Sequence, residues 1–159
     1  MKNIFVALGI VYGIGASAAL AQQKPPTPSE LQGTWKLTSL TRDGQRSDAS
    51  GYLLFDGNHY AYLTTRERPD IAPEVGRKSP EQLTDVEKMQ YVELFRNMTA
   101  GAGTYTIENG EIVFLFEVAR LPSLVGEREK RKAWMENGKL IHDFIAGGRR
   151  QVYVWERVK

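Results

Sequence analysis

The sequence contains two histidines, His59 and His142, and no cysteine. His142 precedes Asp143 inside an apolar stretch, so it could line a cavity, act as a general acid or base, or be an ordinary strand residue. His59 follows a turn and is expected to face solvent. A zinc site would lack cysteine ligands and a close pair of histidines. The sequence therefore predicts no metal site, and no motif in it indicates a cofactor.

Other chemical motifs are also missing. No Gly-x-Ser-x-Gly elbow indicates a serine nucleophile, and no glycine-rich loop indicates a phosphate site. Catalysis remains possible if His142 converges in one pocket with Asp143, Glu117 or Tyr60. Arg131 lies in a run of alternating charge, which is typical of a solvated strand. It could instead face inward and bind a ligand carboxylate.

The elements that must position these residues are strands joined by tight turns. Asn109-Gly110 and Asn137-Gly138 each separate two alternating runs, and Asn-Gly suits a type I′ turn because both central residues need positive φ. Asp56-Gly57-Asn58 is a similar turn. Consecutive hairpins of eight strands predict an all-β fold, an eight-stranded up-and-down antiparallel barrel. The expected strands are 33–41, 51–56, 59–65, 103–108, 111–120, 128–136, 139–145 and 151–158.

Strand parity predicts how one end of the barrel closes. If Trp35 points inward, so do Leu37 and Ser39. Closure of the barrel brings the last strand beside the first, so that Arg157 faces Trp35. We expect Gly33, Trp35 and Arg157 to close this end, with the guanidinium packed on the indole.

The same parity argument gives candidate residues for a cavity. On strand 111–120 the side with Phe114, Phe116 and Val118 is expected inward, because Glu117 on the other side prefers water. On the neighbouring strands the sides richer in aromatic residues are chosen in the same way. We predict that a cavity is lined by Tyr60, Tyr62, Phe114, Phe116, Arg131, Leu140, His142, Phe144 and Tyr153.

One segment interrupts the strands. Ser79-Pro80-Glu81-Gln82 has the form of a helix start with a capping box, and Thr84 begins a second possible box. The pattern predicts an amphipathic helix over 80–99 that lies on the barrel, either as a flank or plug or as a lid over the cavity. The preceding loop, 66–78, would lie at the same end. The apolar side of the helix contains Leu83, Val86, Tyr91, Leu94, Phe95 and Met98.

The beginning of the chain indicates export. Lys2 precedes the apolar run 4–20, and Ala19-Leu20-Ala21 has the small-x-small pattern of a cleavage site. Residues 1–21 are therefore predicted to be a cleavable signal peptide, with cleavage before Gln22. We expect the mature chain to be periplasmic or secreted, with no stable insertion into a membrane.

The remaining chain is long enough for one domain. Residues 22–30 are rich in proline and are predicted to form a disordered tether, and residues 31–159 are predicted to form the barrel domain. The net charge of the chain is +2, which gives no long-range reason to bind nucleic acid. Without cysteine there is no disulfide, so stability must come from the core.

Five blocks of sequence, in order, resemble the bacterial lipocalin-like domain family, which consists of small barrels of the lipocalin and calycin group. The blocks are Leu31–Leu37, Gly51–Gly57, Gly103–Ile107, Leu121–Gly126 and Trp155–Arg157. The resemblance covers about residues 31–158. It implies an eight-stranded barrel with a cavity for a small, largely apolar molecule. It names no ligand, and no metal or catalytic motif transfers.

Three functions are compatible with the sequence. The leading hypothesis is an exported binding protein that sequesters or carries a small hydrophobic molecule in the barrel cavity. The first alternative is a small-molecule isomerase or cyclase that uses polar cavity residues, which would require two titratable side chains within hydrogen-bonding reach. The second is a non-catalytic envelope interaction barrel, which would have a filled core and an exposed apolar patch.

Overall fold

A computed structural model describes residues 24–66 and 74–159. The expected signal peptide, 1–21, and the first two residues of the expected tether lie outside the described residues. Two α-helices, α1 (Pro28–Leu31) and α2 (Asp85–Asn97), and the short 3-10 helices Val75–Arg77, Pro80–Gln82 and Pro122–Leu124 accompany the strands. The strands are β1 (Gly33–Arg42), β2 (Gln45–Ser47), β3 (Ala49–Asp56), β4 (His59–Arg66), β5 (Met98–Glu108), β6 (Glu111–Ala119), β7 (Arg128–Glu136), β8 (Lys139–Ala146) and β9 (Arg149–Arg157).

The strands form one closed antiparallel sheet. Consecutive strands from β3 to β9 pair with one another, and β1 pairs with both β3 and β9. The three residues of β2 pair with the end of β1 where β9 occupies the other edge, so β2 and β3 together form one barrel strand interrupted at Asp48. The predicted fold is confirmed: an eight-stranded up-and-down barrel with an inserted helix.

The backbone at the turns has the conformation that their sequences favour. Asn109 and Asn137 both have φ of 51°, and the glycines that follow them have φ of 84° and 75°. Positive φ at both central residues is the requirement of a type I′ turn. Asp43 and Gly44 form a further turn with positive φ, between β1 and β2. Neither this turn nor β2 was among the expected elements.

Two β-bulges reverse the inward and outward alternation assumed from the sequence. A shift of register within β1 puts Leu40, rather than Ser39, in the core. A second shift, between β5 and β6, leaves Glu117 without a partner residue and turns Val118 outward, with 66% of its surface exposed. The inward orientation expected for Ser39 and Val118 is therefore wrong, because one extra residue in a strand changes the face of every residue after it.

One end of the barrel is closed by Trp35 and the residues around it. Trp35 is fully buried, and its indole Nε1 donates a hydrogen bond of 2.7 Å to the carbonyl oxygen of Leu31. The guanidinium carbon of Arg157 lies 4.2 Å from the Trp35 ring centroid, which is the contact expected from strand parity. Arg157 also donates hydrogen bonds to the carbonyl oxygens of Glu30 and Gln32. These contacts join α1 to both the first and the last strand.

Part of the expected tether is ordered against this end. Pro26 is buried, and Leu31 is fully buried. Thr27 and Glu30 form a capping box at the start of α1. The described part of the segment predicted as a tether thus includes a short capped helix, and the Thr-x-x-Glu pattern is typical of such a helix start.

Helix α2 packs less closely than expected. It begins at Asp85, capped by Thr84 and Glu87, and residues 80–82 form a separate 3-10 turn. No residue of α2 is buried, and Phe95 is 56% exposed. Of the six residues assigned to the apolar side, Val86 and Phe95 are exposed and the other four are half-buried, so this side is covered only in part. Among the described residues, no helix is long and apolar enough to cross a membrane.

Candidate ligand-binding site

A cavity of about 460 Å³ opens at the end of the barrel opposite Trp35. Small-molecule sites in proteins usually have volumes of roughly 300–1,000 Å³, so this space could hold a small ligand. No residue of α2 lines the cavity, so the helix does not cover it. The floor contains Tyr62, Arg131, Phe144, Gln151 and Tyr153, and the rim contains Arg42, Arg66, Arg120, Leu121 and Leu124.

Arg131 on β7 is the charged group at the floor. Its side chain is 4% exposed and forms an ion pair with Glu129. The guanidinium carbon lies 4.1 Å from the ring centroid of Phe144, 4.9 Å from that of Phe114 and 5.3 Å from that of Tyr62. Aromatic faces attract a cation at such distances. Arg131 is therefore a buried cation that three rings and one carboxylate hold in place.

The charge of Arg131 persists despite its burial. Desolvation by burial lowers the pKa of Arg131, but the carboxylate of Glu129, the largest of the opposing causes, helps to raise it above its ordinary value. Burial also raises the pKa of Tyr62 and Tyr153, so both phenols remain neutral. The hydroxyl of Tyr153 lies 3.2 Å from Oε1 of Gln151 and donates to it. The floor thus combines aromatic surface with neutral polar groups and one cation.

His142 lies inside the barrel and is not among the residues that line the cavity. It is fully buried, with its ring centroid 6.0 Å from that of Phe114 and 6.1 Å from that of Trp155. Both ring nitrogens lack a hydrogen-bond partner. Burial, and then the charge of Arg131, lowers the pKa of His142 well below its usual value, so the imidazole is neutral.

The acid–base constellation considered from the sequence does not assemble. Asp143 lies on the other face of β8, where its carboxylate accepts hydrogen bonds of 2.9 and 2.6 Å from Arg150. Glu117 is exposed at the bulge of β6. Tyr60 is buried, and its hydroxyl lies 3.4 Å from the carbonyl oxygen of Leu115. Within the part of the chain that the structure describes, no carboxylate therefore contacts His142. The described residues also contain no group of three or more His, Asp or Glu that could hold a metal ion.

Four of the nine residues predicted to line the cavity do so, namely Tyr62, Arg131, Phe144 and Tyr153. The other five are buried in the interior away from it, namely Tyr60, Phe114, Phe116, Leu140 and His142. Tyr60, for example, packs against Phe114 with ring centroids 4.6 Å apart. The alternation of residues along a strand predicts which side chains point into the barrel, but it does not predict how far each of them lies from the open end.

The lipocalin-like domain family matches residues 32–158 of the chain. The chain belongs to this family. The resemblance inferred from the sequence is thereby confirmed. No curated protein matches the chain.

Crystal structures of two mutants of the fluorescent protein UnaG resemble this lipocalin-like domain. One has 13% sequence identity and a TM-score of 0.40, and the similarity covers 83% of this chain and 99% of that chain. The other has 12% identity and a TM-score of 0.39, with 84% and 99% covered.

The rim of the lipocalin-like domain carries arginines that the sequence analysis missed. Arg42 ends β1, Arg66 ends β4 and Arg120 follows β6. None of the three has an ion pair among the residues that the structure describes. The signal available in the sequence was their position, since all three stand where a strand ends at the same side of the barrel.

Proposed function

We propose that this lipocalin-like chain carries or sequesters a small hydrophobic molecule in the cavity at the open end of its barrel. The observation that supports this most directly is the cavity of about 460 Å³ whose floor contains Tyr62, Phe144 and Tyr153. Binding sites for small molecules are mostly apolar concavities with a few placed polar groups. Arg131 and Gln151 are such polar groups, set among these rings.

The packing of the closed end supports the same proposal. Large side chains, including Trp35, Trp155 and Leu140, are fully buried in the barrel. A ligand would therefore enter and leave the barrel at its open end, past the rim. Removal of apolar ligand surface from water would supply the main driving force.

We also propose that the protein performs this function after export, with residues 1–21 removed. The apolar run and the small-x-small pattern of Ala19-Leu20-Ala21 support this part of the proposal. The compartment would be the periplasm or the medium.

A neutral fluorescent probe tests the binding function. N-phenyl-1-naphthylamine fluoresces weakly in water and strongly in an apolar site, so a titration of the mature protein should give saturable enhancement. Tyr62→Ala removes an aromatic ring from the floor and should weaken binding about fivefold or more. Native mass spectrometry of gently purified protein should in addition reveal a co-purified small molecule.

The matched control is Tyr52→Ala, because Tyr52 pairs with the neighbouring strand on the outer face and is 49% exposed. This variant should bind the probe as the unmodified protein does. Binding that does not saturate, or equal losses in the two tyrosine variants, would place the probe outside the barrel and overturn the proposal.

A further inference from the structure

We propose that the ligand is an anionic amphiphile whose head group carries more than one negative charge and is bound at the rim by Arg42, Arg66 and Arg120. This inference rests on the proposed function, because it specifies the chemistry of the ligand for the same cavity. The apolar part would lie on the aromatic floor.

The charges that line the cavity are unbalanced. Four arginines and one glutamate contribute to its wall. Glu129 is paired with Arg131, which leaves Arg42, Arg66 and Arg120 without a carboxylate among the described residues. The net charge of the chain is only +2, so a basic composition does not explain this concentration of positive charge.

The other described arginines do not all follow one pattern: Arg46, Arg77 and Arg149 are exposed and have no ion pair among the described residues. Arg96, Arg128 and Arg150 are each paired with a carboxylate, although each of them is largely exposed. Exposed charges need such partners least, because water solvates them. The arginines of the rim are less exposed and yet unpaired. Among the described residues, no carboxylate therefore compensates the partial burial of the rim arginines, and an anionic ligand would do so.

Two of the rim arginines also have buried donors without an acceptor. The Nε atoms of Arg42 and Arg120 are inaccessible to solvent and make no hydrogen bond. A buried donor without an acceptor is unfavourable, whereas a guanidinium readily donates two parallel bonds to a carboxylate or phosphate. An oxyanion bound to these guanidinium groups would supply an acceptor that the described residues do not.

The backbone around the rim is held by the sheet. Arg42 pairs with Gln151 across β1 and β9, and the backbone amide of Arg120 donates a hydrogen bond of 3.0 Å to the carbonyl oxygen of Ala100. Arg66 pairs with Ala49 at the end of β4. The backbone of each of the three arginines is therefore held in place at the end of a different strand, around the mouth of the cavity. Three guanidinium groups match a phosphomonoester or a pair of carboxylates better than a single carboxylate.

Displacement of N-phenyl-1-naphthylamine tests the charge of the ligand. Decyl phosphate, decanoate and decanol share one chain and differ only in the head group, and each is used below its micelle concentration. We expect decyl phosphate to displace the probe at least about tenfold more effectively than decanol, with decanoate between them. About 0.5 M sodium chloride should reduce the advantage of decyl phosphate, because salt screens partly exposed charges.

The double variant Arg42→Gln/Arg120→Gln tests the residues. It should weaken binding of decyl phosphate about tenfold or more, and it should reduce the affinity for decanol and for the neutral probe much less. The control is Arg46→Gln/Arg149→Gln, which removes two exposed arginines from the same end of the barrel and should leave all three affinities unchanged. Thermal melting followed by circular dichroism establishes that both variants fold.

The outcomes separate the two proposals. If the neutral probe binds but decyl phosphate displaces it no better than decanol, the ligand is not selected by charge and this inference is overturned, while the proposed function stands. If the neutral probe does not bind, the proposed function fails and this inference fails with it. If the double variant does not fold, the head-group and salt comparison on the unmodified protein still decides whether the site prefers an anion.

Discussion

His142 shows how burial can fix the protonation state of a single residue. Its ring lies between Phe114 and Trp155, beside Tyr153 on the neighbouring strand, and the charge of Arg131 on β7 acts on it. Burial disfavours the imidazolium ion, and a nearby cation disfavours it further. His142 is therefore a neutral core residue in this fold rather than an acid or base beside the cavity.

This protonation state predicts a loss of stability in acid. Above about pH 6.5, His142 is neutral in both the folded and the unfolded chain. Below it, the unfolded chain binds a proton that the folded chain does not. The free energy of unfolding should then fall by about 1.4 kcal/mol per pH unit. Between pH 7 and pH 5, His142 should account for a fall of about 2 kcal/mol in the free energy of unfolding. The His142→Leu variant should not show this fall.

The free energy of unfolding of each variant is measured by urea denaturation at pH 7 and at pH 5. The carboxylates contribute equally to the pH dependence of all variants, so their contribution cancels in the comparison. The control is Leu140→Val, because Leu140 is also fully buried on β8 and has no titratable group, so its replacement should leave the pH dependence unchanged. Equal pH dependence in His142→Leu and in the unmodified protein would mean that His142 is protonated within the folded barrel, contrary to this prediction.

At the scale of the elements, the bulge between β5 and β6 depends on Gly103. A Cβ atom at this position would lie 2.0 Å from the carbonyl oxygen of Leu115 and 2.9 Å from the amide nitrogen of Glu117. Both contacts are with backbone, so no side chain can move away to relieve them. Gly103→Ala should therefore lower the free energy of unfolding by about 3 kcal/mol, measured by urea denaturation.

Gly76→Ala is the matched control for that substitution. A Cβ atom at Gly76 would have the Tyr91 hydroxyl as its nearest neighbour, at 3.8 Å, which is an ordinary contact distance. The change should therefore alter stability by less than about 0.5 kcal/mol. Similar losses in the two variants would show that the backbone at Gly103 moves easily and that the bulge is not held by close packing.

The elements also show which parts of the fold are readable from sequence. Asn-Gly turns and alternating runs sufficed to predict eight barrel strands, because both signals are local. The bulges at Thr38 and Glu117 were not predictable, since an extra residue in a strand has no compositional mark. The apolar half of α2 was also misleading: its residues Val86 and Phe95 are largely exposed in the structure.

The candidate site also contains some residues that could be predicted from the sequence and some that could not. Tyr62, Phe144 and Tyr153 were predictable because inward parity on their strands is regular. The rim arginines Arg42 and Arg120 were not, because strand ends that are distant in sequence meet only when the register of the whole barrel is known. The charge of a site that is formed by strand ends therefore becomes evident only when the pairing of all the barrel strands is known.

At the scale of the whole molecule, the two ends of the barrel are chemically different. The closed end is covered by α1 and held by Arg157 through Trp35 and two backbone carbonyls. The open end has a cavity with three unpaired arginines among the described residues. The contacts that close the barrel and the proposed binding site thus lie at opposite ends. Substitutions at the rim should therefore change the affinity for the ligand more than the free energy of unfolding.

The ordered segment before β1 limits where a signal peptide can be removed. Pro26 is buried and Thr27 caps α1, so cleavage after these residues would expose the closed end. Cleavage before Gln22, as predicted, leaves the whole segment intact. Expression of the full chain in a Gram-negative host should therefore yield a protein of residues 22–159 in the osmotic-shock fraction or the medium, identified by intact mass.

Replacing Ala19 and Ala21 with arginine should block this processing, because signal peptidases accept small residues at those positions. The control replaces Ser29 with alanine, since Ser29 is exposed and lies beyond the cleavage site. That variant should be processed as the unmodified chain is. An unmodified chain that keeps residues 1–21 and remains in the cytoplasm would contradict the export proposal. The barrel and its cavity would then have to be assigned a ligand from that compartment, because the binding proposal depends on the open end and not on the leader.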